Sequence, residues 1–147
     1  MKLACDVMLG KLAKYLRALG FDTTYLKSPA AIVTLAGEEP PRILLTRRHG
    51  STAYPHSVIV RSENVLEQLQ ELKGLIGPHV DTGQTLTRCL ECNSELMDAE
   101  RKDIEHLVPE FVYHQYARFK RCPSCGKVYW AGSHTEHMAQ VLKEVLG

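Results

Sequence analysis

The chain has 147 residues, 44% of them hydrophobic and 24% charged, and a net charge of +1. This composition excludes a disordered or low-complexity chain, and the near-zero charge excludes a polyanion binder that works through bulk charge. No apolar run reaches the roughly 18 residues of a membrane span, so no membrane partner is expected.

Residues 2–6 read as a short strand ending in Asp6. A helix is expected from about Met8 to Leu19, stopped by Gly20. Met8, Leu9, Leu12, Leu16 and Leu19 share its apolar side at helical spacing, while Lys11, Lys14 and Arg17 recur every third residue on the other side. That basic stripe suits a solvated face or a surface that tracks phosphates. Asp22 to Leu26 reads as a second strand. Ser28 followed by Pro29 signals a helix over 30–36, ended by Gly37. Arg42 to Thr46 is a near-continuous apolar run, as in a central strand covered on both faces. Arg47-Arg48-His49-Gly50 leave its carboxyl end. His56 to Arg61 is a fourth strand. Ser62 or Asn64 then caps a helix through about Lys73, with Val65, Leu66, Leu69 and Leu72 buried and Gly74 ending it.

This alternation predicts an α/β fold with a mainly parallel sheet and flanking helices. Ligands bind such sheets beyond the carboxyl ends of the strands. Asp6, Arg47 and Arg48 would share a crevice there if the first and third strands are neighbours. No glycine-rich phosphate loop is present, so a Rossmann or P-loop site is not expected.

Gly74 to Thr85 reads as a linker, dividing the chain into residues 1–83 and 84–147. Gln84 to Arg88 should be a strand leading into Cys89-Leu90-Glu91-Cys92. A second pair, Cys122-Pro123-Ser124-Cys125, follows after 122 − 92 − 1 = 29 residues. Two such turns supply four thiolates, the ligand set of a closed structural zinc site. Disulfides or a redox pair are the alternative, but a redox function needs only one pair. Five cysteines, four of them in ligand pairs, suit a reducing, cytoplasmic compartment. Cys5 is left over as a buried thiol. Between the turns, Asp98 is expected to cap a short helix that ends before Pro109. Phe119 to Arg121 and Lys127 to Trp130 form a hairpin around the second turn. Ser133-x-x-Glu136 is a capping box opening a final helix, with Met138, Val141, Leu142 and Val145 on its apolar side. His134 and His137 in its first turn suit surface or packing roles, because four cysteines already fill a zinc sphere.

Residues 1–80 carry 10 Lys+Arg against 7 Asp+Glu, and residues 81–147 carry 8 against 10, so any basic surface must be local. Besides the helix stripe, Arg118, Lys120, Arg121 and Lys127 flank the second cysteine turn. Tyr116, Tyr129 and Trp130 beside them can stack on bases or pack around the metal.

With these stretches assembled, the chain resembles the Mut-seven C-terminal RNase domain family. The matching segments are residues 5–23 (Cys-Asp-Val-Met-Leu-Gly-Lys through Phe-Asp-Thr), Arg-Ile-Leu-Leu-Thr-Arg at 42–47 and Glu-Gln-Leu at 67–69. The others are Arg-Cys-Leu-Glu-Cys-Asn at 88–93, Cys-Pro-Ser-Cys-Gly-Lys-Val-Tyr-Trp at 122–130 and Gly-Ser-His at 132–134. The resemblance implies a PIN-like nuclease fold followed by a zinc ribbon, with RNA as partner. It also implies acidic side chains holding Mg²⁺ or Mn²⁺ at the carboxyl edge of the sheet. Asp6 matches the first acid of such a centre. The stretch after the second strand, 28–35, carries no carboxylate. Where the family reads Thr-Arg-Asp, this chain reads Thr-Arg-Arg, placing Arg48 at an acid's position. Glu38 and Glu39 stand nearby in sequence.

Three functions follow. The first is an RNA-acting protein with a partly eroded acidic centre, which binds RNA through Lys11, Lys14, Arg17, Arg47 and Arg48 and cleaves it poorly. The second is an active metal-dependent ribonuclease using Asp6 with Glu38 or Glu39. The third is a zinc-ribbon adaptor for another protein.

Overall fold

The computed structural model describes residues 1–48, 54–132 and 134–147, the side chains of 134–136 excepted. His49 and Gly50 after the third strand, the side chain of His134, and the capping box of Ser133 and Glu136 lie outside the described residues.

The first part is a four-stranded parallel sheet in the order β2-β1-β3-β4, formed by β1 (Lys2–Cys5), β2 (Asp22–Tyr25), β3 (Ile43–Thr46) and β4 (Ser57–Ile59). Strand alternation sorts the core into two layers. Leu3, Cys5 and Leu45 face the helices, while Ala4 and Leu44 face a smaller cluster with Leu26 and Leu35. Helix α1 (Gly10–Ala18) and helix α2 (Val65–Ile76) cover the first layer. The second is covered by residues 29–35, which form a 3₁₀ turn instead of the expected α-helix. Only Leu35 of that segment is buried, so there is little apolar face to anchor a full helix. Ser28 makes no side-chain cap there.

Two helices depart from their expected faces or ends. A 3₁₀ turn, Val7–Leu9, precedes α1, and it turns Met8 out to solvent. In α2, Asn64 is the cap, accepting from the Glu67 amide at 2.9 Å, and the helix runs through Gly74 to bury Ile76 completely. Packing of Ile76 outweighs the roughly 1 kcal/mol cost of an interior glycine. Gln68 takes the buried place expected for Leu66, which is exposed. Gln68 is satisfied there because its Nε2 donates to the Ser62 carbonyl at 3.0 Å.

The second part is an antiparallel sheet, β5-β6-β7, made of β5 (Met97–Ala99), β6 (Phe119–Arg121) and β7 (Val128–Trp130). The β6–β7 hairpin lies where expected. Residues 84–88 are not a strand and contribute a single bridge, Arg88 to Glu95. Asp98 belongs to β5 and caps nothing; the short helices α3 (Arg101–Ile104) and α4 (Glu110–Gln115) come after it. These elements enclose Ile104, Val112, Phe119 and Val128. Helix α5 (His134–Leu146) returns to pack on α1 and α2. Its Met138 and Leu142 join Leu3, Leu16 and Leu69 in the main core, together with Cys89, Cys122 and Tyr129.

Candidate functional site

The carboxyl end of β1 delivers Asp6 to the edge of the sheet beside the end of β3, because β1 and β3 are hydrogen-bonded neighbours. Asp6 is 1% exposed, and each of its oxygens is taken. Oδ1 accepts from the Val7 amide at 2.8 Å, capping the 3₁₀ turn. Oδ2 accepts the Thr46 hydroxyl at 2.7 Å and Arg48 Nε at 2.8 Å. Thr46 Oγ1 in turn accepts from the Arg48 amide at 3.1 Å, so threonine and arginine brace one another on the same oxygen. Burial opposes ionisation of Asp6, but the hydrogen bonds from Thr46, Val7 and Arg48 outweigh it and hold the carboxyl below its usual range.

Beside this pair, Arg48 Nη2 and Arg47 Nε are shielded from water and have no hydrogen-bond partner among the described residues. Arg47 Nη2 makes a long contact of 3.4 Å to the Arg61 carbonyl. Two guanidinium groups therefore stand at the strand ends, the Arg48 side chain 37% exposed, next to a carboxylate that is fully engaged.

Glu38 and Glu39 are not brought to Asp6. Glu38 accepts from Lys2 Nζ at 2.8 Å and from Arg42 Nε at 3.0 Å, which fixes it at the amino end of β1 and β3. Four residue steps along the strand separate Lys2 from Asp6, roughly 13 Å at about 3.3 Å each. Arg42 also donates to Asp22 Oδ1 at 2.8 Å, so this end of the sheet is a closed ionic cluster. Exposed Glu39 follows in the same loop.

The basic stripe of α1 also divides. Lys11 and Lys14 are exposed, whereas Arg17 is 7% exposed and turned inward. Its Nε donates to the Thr23 carbonyl at 2.9 Å and its Nη1 to the Leu90 carbonyl at 2.7 Å. A three-residue repeat drifts about 60° per step around a helix of 3.6 residues per turn. Arg17 thus falls beside buried Ala13 and Leu16 and serves as a bolt between the two parts of the chain.

The four cysteines meet at the junction of those parts. The sulfurs of Cys89, Cys92, Cys122 and Cys125 all lie within 4.8 Å of one another, with Cys89 and Cys125 3.7 Å apart. The two turns share one design. In each, the amide of the first cysteine donates to the carbonyl five residues on: Cys89 N to Ser94 O at 2.8 Å and Cys122 N to Lys127 O at 2.9 Å. The residue after each pair folds back, with Asn93 N and Gly126 N each 2.9 Å from the carbonyl of Cys89 and Cys122. Both adopt positive φ, 69° and 80°, which asparagine and glycine tolerate best. Ser94 Oγ meets Ser124 Oγ at 2.8 Å across the pair of turns. Burial works against the Cys122 thiolate, yet the amides of Cys125 and Ser124, each 3.4 Å from its sulfur, outweigh it and bring its pKa to about 7. Cys92 is pushed up to about 12, first by its hydrogen bond with Cys125 and then by burial. Four crowded thiols cannot all ionise without a cation among them, and this donor set could hold a metal ion such as zinc. Among the described residues it is the one group of three or more His, Cys, Asp or Glu side chains placed to share an ion, and His137 is not in it.

The family model of the Mut7-C RNAse domain matches residues 1–142. The chain belongs to the Mut7-C RNAse domain family. No curated protein and no solved structure matches it. The family is one of RNA-acting, nuclease-like domains, and the match covers both the sheet that carries Asp6 and the four-cysteine cluster.

In this Mut7-C domain the aromatic residues near the second turn serve packing more than display. Tyr129 is buried, its hydroxyl 3.2 Å from Cys89 Sγ and accepting from the Leu90 amide at 3.0 Å. Tyr116 and Trp130 pack against the β5–β7 core. Two residues that sequence reasoning passed over hold the Mut7-C site together. Thr46 buttresses Asp6, and its place at the last position of β3 was the available signal. Asn93 is the last residue of the 88–93 segment, directly after the first cysteine pair. Its side chain accepts from the Thr23 amide at 2.9 Å and donates to Asp22 Oδ1 at 2.7 Å, closing the open edge of β2.

Proposed function

We propose that this protein binds RNA at the carboxyl edge of a PIN-like α/β unit, residues 1–83, and cleaves it weakly or not at all. Residues 84–147 are a zinc module fused to that unit through a common core. The observation that carries the reading is the saturation of Asp6, whose oxygens accept from Val7, Thr46 and Arg48. Metal-assisted phosphodiester hydrolysis needs carboxylates free to hold Mg²⁺ or Mn²⁺. Here such an ion would have to displace a cation from a buried carboxylate, and Glu38 is committed elsewhere. The same arrangement favours a phosphate. Arg48 is oriented by Asp6 with its side chain 37% exposed, and arginine grips phosphate oxygens in a fork. Arg47, Lys11 and Lys14 extend the basic surface, whereas Arg17 supports the fold.

Zn²⁺ is the metal assigned to the four cysteines. Sulfurs about 2.3 Å from a tetrahedral zinc stand about 3.8 Å apart, close to the 3.7 Å between Cys89 and Cys125. When bound, zinc cross-links the two turns and leaves no open coordination position. The free-thiol chemistry of the site fits the cytoplasm.

Titration of a labelled single-stranded RNA tests the reading. Affinity should fall steeply between about 50 mM and 200 mM salt, the mark of phosphate contacts, and Arg48→Ala should weaken it. Binding that is absent at low salt, or indifferent to salt, would favour a protein adaptor instead.

A further inference from the structure

A groove runs from the carboxyl ends of β1 and β2, along α1, to the first cysteine turn and α5. At one end Tyr25 lines it, its hydroxyl donating to the Val7 carbonyl at 2.6 Å, one residue from Asp6. At the other end its wall is Glu91 and His137. Lys11, Lys14 and Lys27, all exposed, project from its sides, and Glu91 is the one carboxylate among its described lining residues.

The position of Glu91 is unusual for a surface acid. It sits at the tip of the turn between Cys89 and Cys92, with Oε1 3.0 Å from Lys14 Nζ and 3.8 Å from Lys127 Nζ. Those lysines come from α1 and from the second cysteine turn, so one oxygen bridges cations of both parts of the chain. All three side chains are between 40% and 47% exposed, so the pairs are screened and readily exchanged.

Resting on the RNA reading above, we propose that this groove is the channel of a single RNA strand leaving the Asp6–Arg48 edge, and that Glu91 occupies the seat of one of its phosphates. A phosphodiester carries the same single charge as Glu91 and offers oxygens to the same two lysines. Binding of the strand swings Glu91 out, and the lysines it held pass to the phosphate. The first cysteine turn thereby sets the threshold of RNA binding, because it carries the competing anion. An acidic peptide would satisfy the same lysines. The three exposed lysines spaced along the groove favour a strand with repeating phosphates.

The test uses the full chain with its metal and a labelled single-stranded oligouridine, titrated at several salt concentrations. Far-UV circular dichroism and metal content verify each variant. Lys14→Ala combined with Lys27→Ala should lower the log–log salt slope by about 1.4, at roughly 0.7 per lost single-strand contact. Glu91→Gln should tighten binding by about two- to fivefold, the worth of an exposed ion pair. Lys73→Ala, on the exposed side of α2, should change nothing. If wild-type binding is salt-dependent and weakened by Arg48→Ala, but the Lys14, Lys27 and Glu91 variants leave it unchanged, the channel is overturned and the RNA reading stands. Failure of the wild type to bind at low salt removes both. Stronger, Lys14-dependent binding of an oligoglutamate of equal charge overturns RNA as the occupant.

Discussion

Arg48 Nε lies 2.8 Å from Asp6 Oδ2, the same oxygen that accepts the Thr46 hydroxyl at 2.7 Å. The guanidinium is partly exposed and the carboxylate is buried, so the pair is asymmetric. Removing Arg48 leaves Asp6 two donors and costs on the order of 1 kcal/mol after solvent screening. Asp6→Asn should cost more, roughly 2–3 kcal/mol, because an amide turns a donor toward Thr46 or Arg48 and loses the charge. Urea unfolding of the two variants checks the order.

The same contacts fix a pH dependence. The folded Asp6 carboxyl is held below its unfolded value, as is that of Asp22 through Arg42 and Asn93. Their stabilisation is therefore complete above the unfolded carboxyl pKa of about 3.9 and is lost as pH falls through the folded values. Wild-type stability should be flat from neutral pH to about pH 5 and fall below about pH 4. In Asp6→Asn that fall should be shallower, as measured by urea midpoints across the acid range.

Asn93 couples the cysteine turn to the sheet, and its φ of 69° separates backbone from side-chain effects. Asn93→Gly keeps the backbone but leaves the buried Thr23 amide without its acceptor, at a cost of about 1–2 kcal/mol. Asn93→Ala adds strain at positive φ and should be worse by a further ~1 kcal/mol. Denaturant melts of the two variants give the comparison.

Metal removal should be felt unequally. Cys89 and Cys122 are within the main core, whereas β5 to β7 rest on a small cluster of Ile104, Val112, Phe119 and Val128. Chelation or Cys122→Ser should therefore raise amide exchange most in residues 97–130, with β1 and β3 better protected. Elemental analysis of the untreated protein should give one zinc per chain.

The sequence pattern reached the parallel sheet, the β6–β7 hairpin and the pairing of cysteine turns because each is written in local spacing. It failed where tertiary packing decides. Gly74 does not end α2 because Ile76 is buried in the main core, and Met8 is turned out by a 3₁₀ turn that Asp6 itself caps. Arg17 and Glu38 were misplaced, although signals existed. The angular drift of a three-residue repeat carries Arg17 to the core side of α1. A residue shortly before a parallel strand returns to the amino end of the sheet, opposite Asp6, and Glu38 precedes β3 in that way. The contacts that make Asn93 and Thr46 site residues lie far off in sequence, 70 and 40 residues away, and local spacing does not carry them.

The most direct measurement is hydrolysis of single-stranded RNA by the wild type with Mg²⁺ or Mn²⁺, set beside Asp6→Asn and Arg48→Asp. An engaged Asp6 predicts weak or undetectable wild-type cleavage, unchanged in Asp6→Asn, and a higher Mn²⁺ affinity in Arg48→Asp once the competing guanidinium is replaced by a second carboxylate. Robust wild-type cleavage that disappears in Asp6→Asn would contradict it, because Asp6 would then be holding metal and not Arg48.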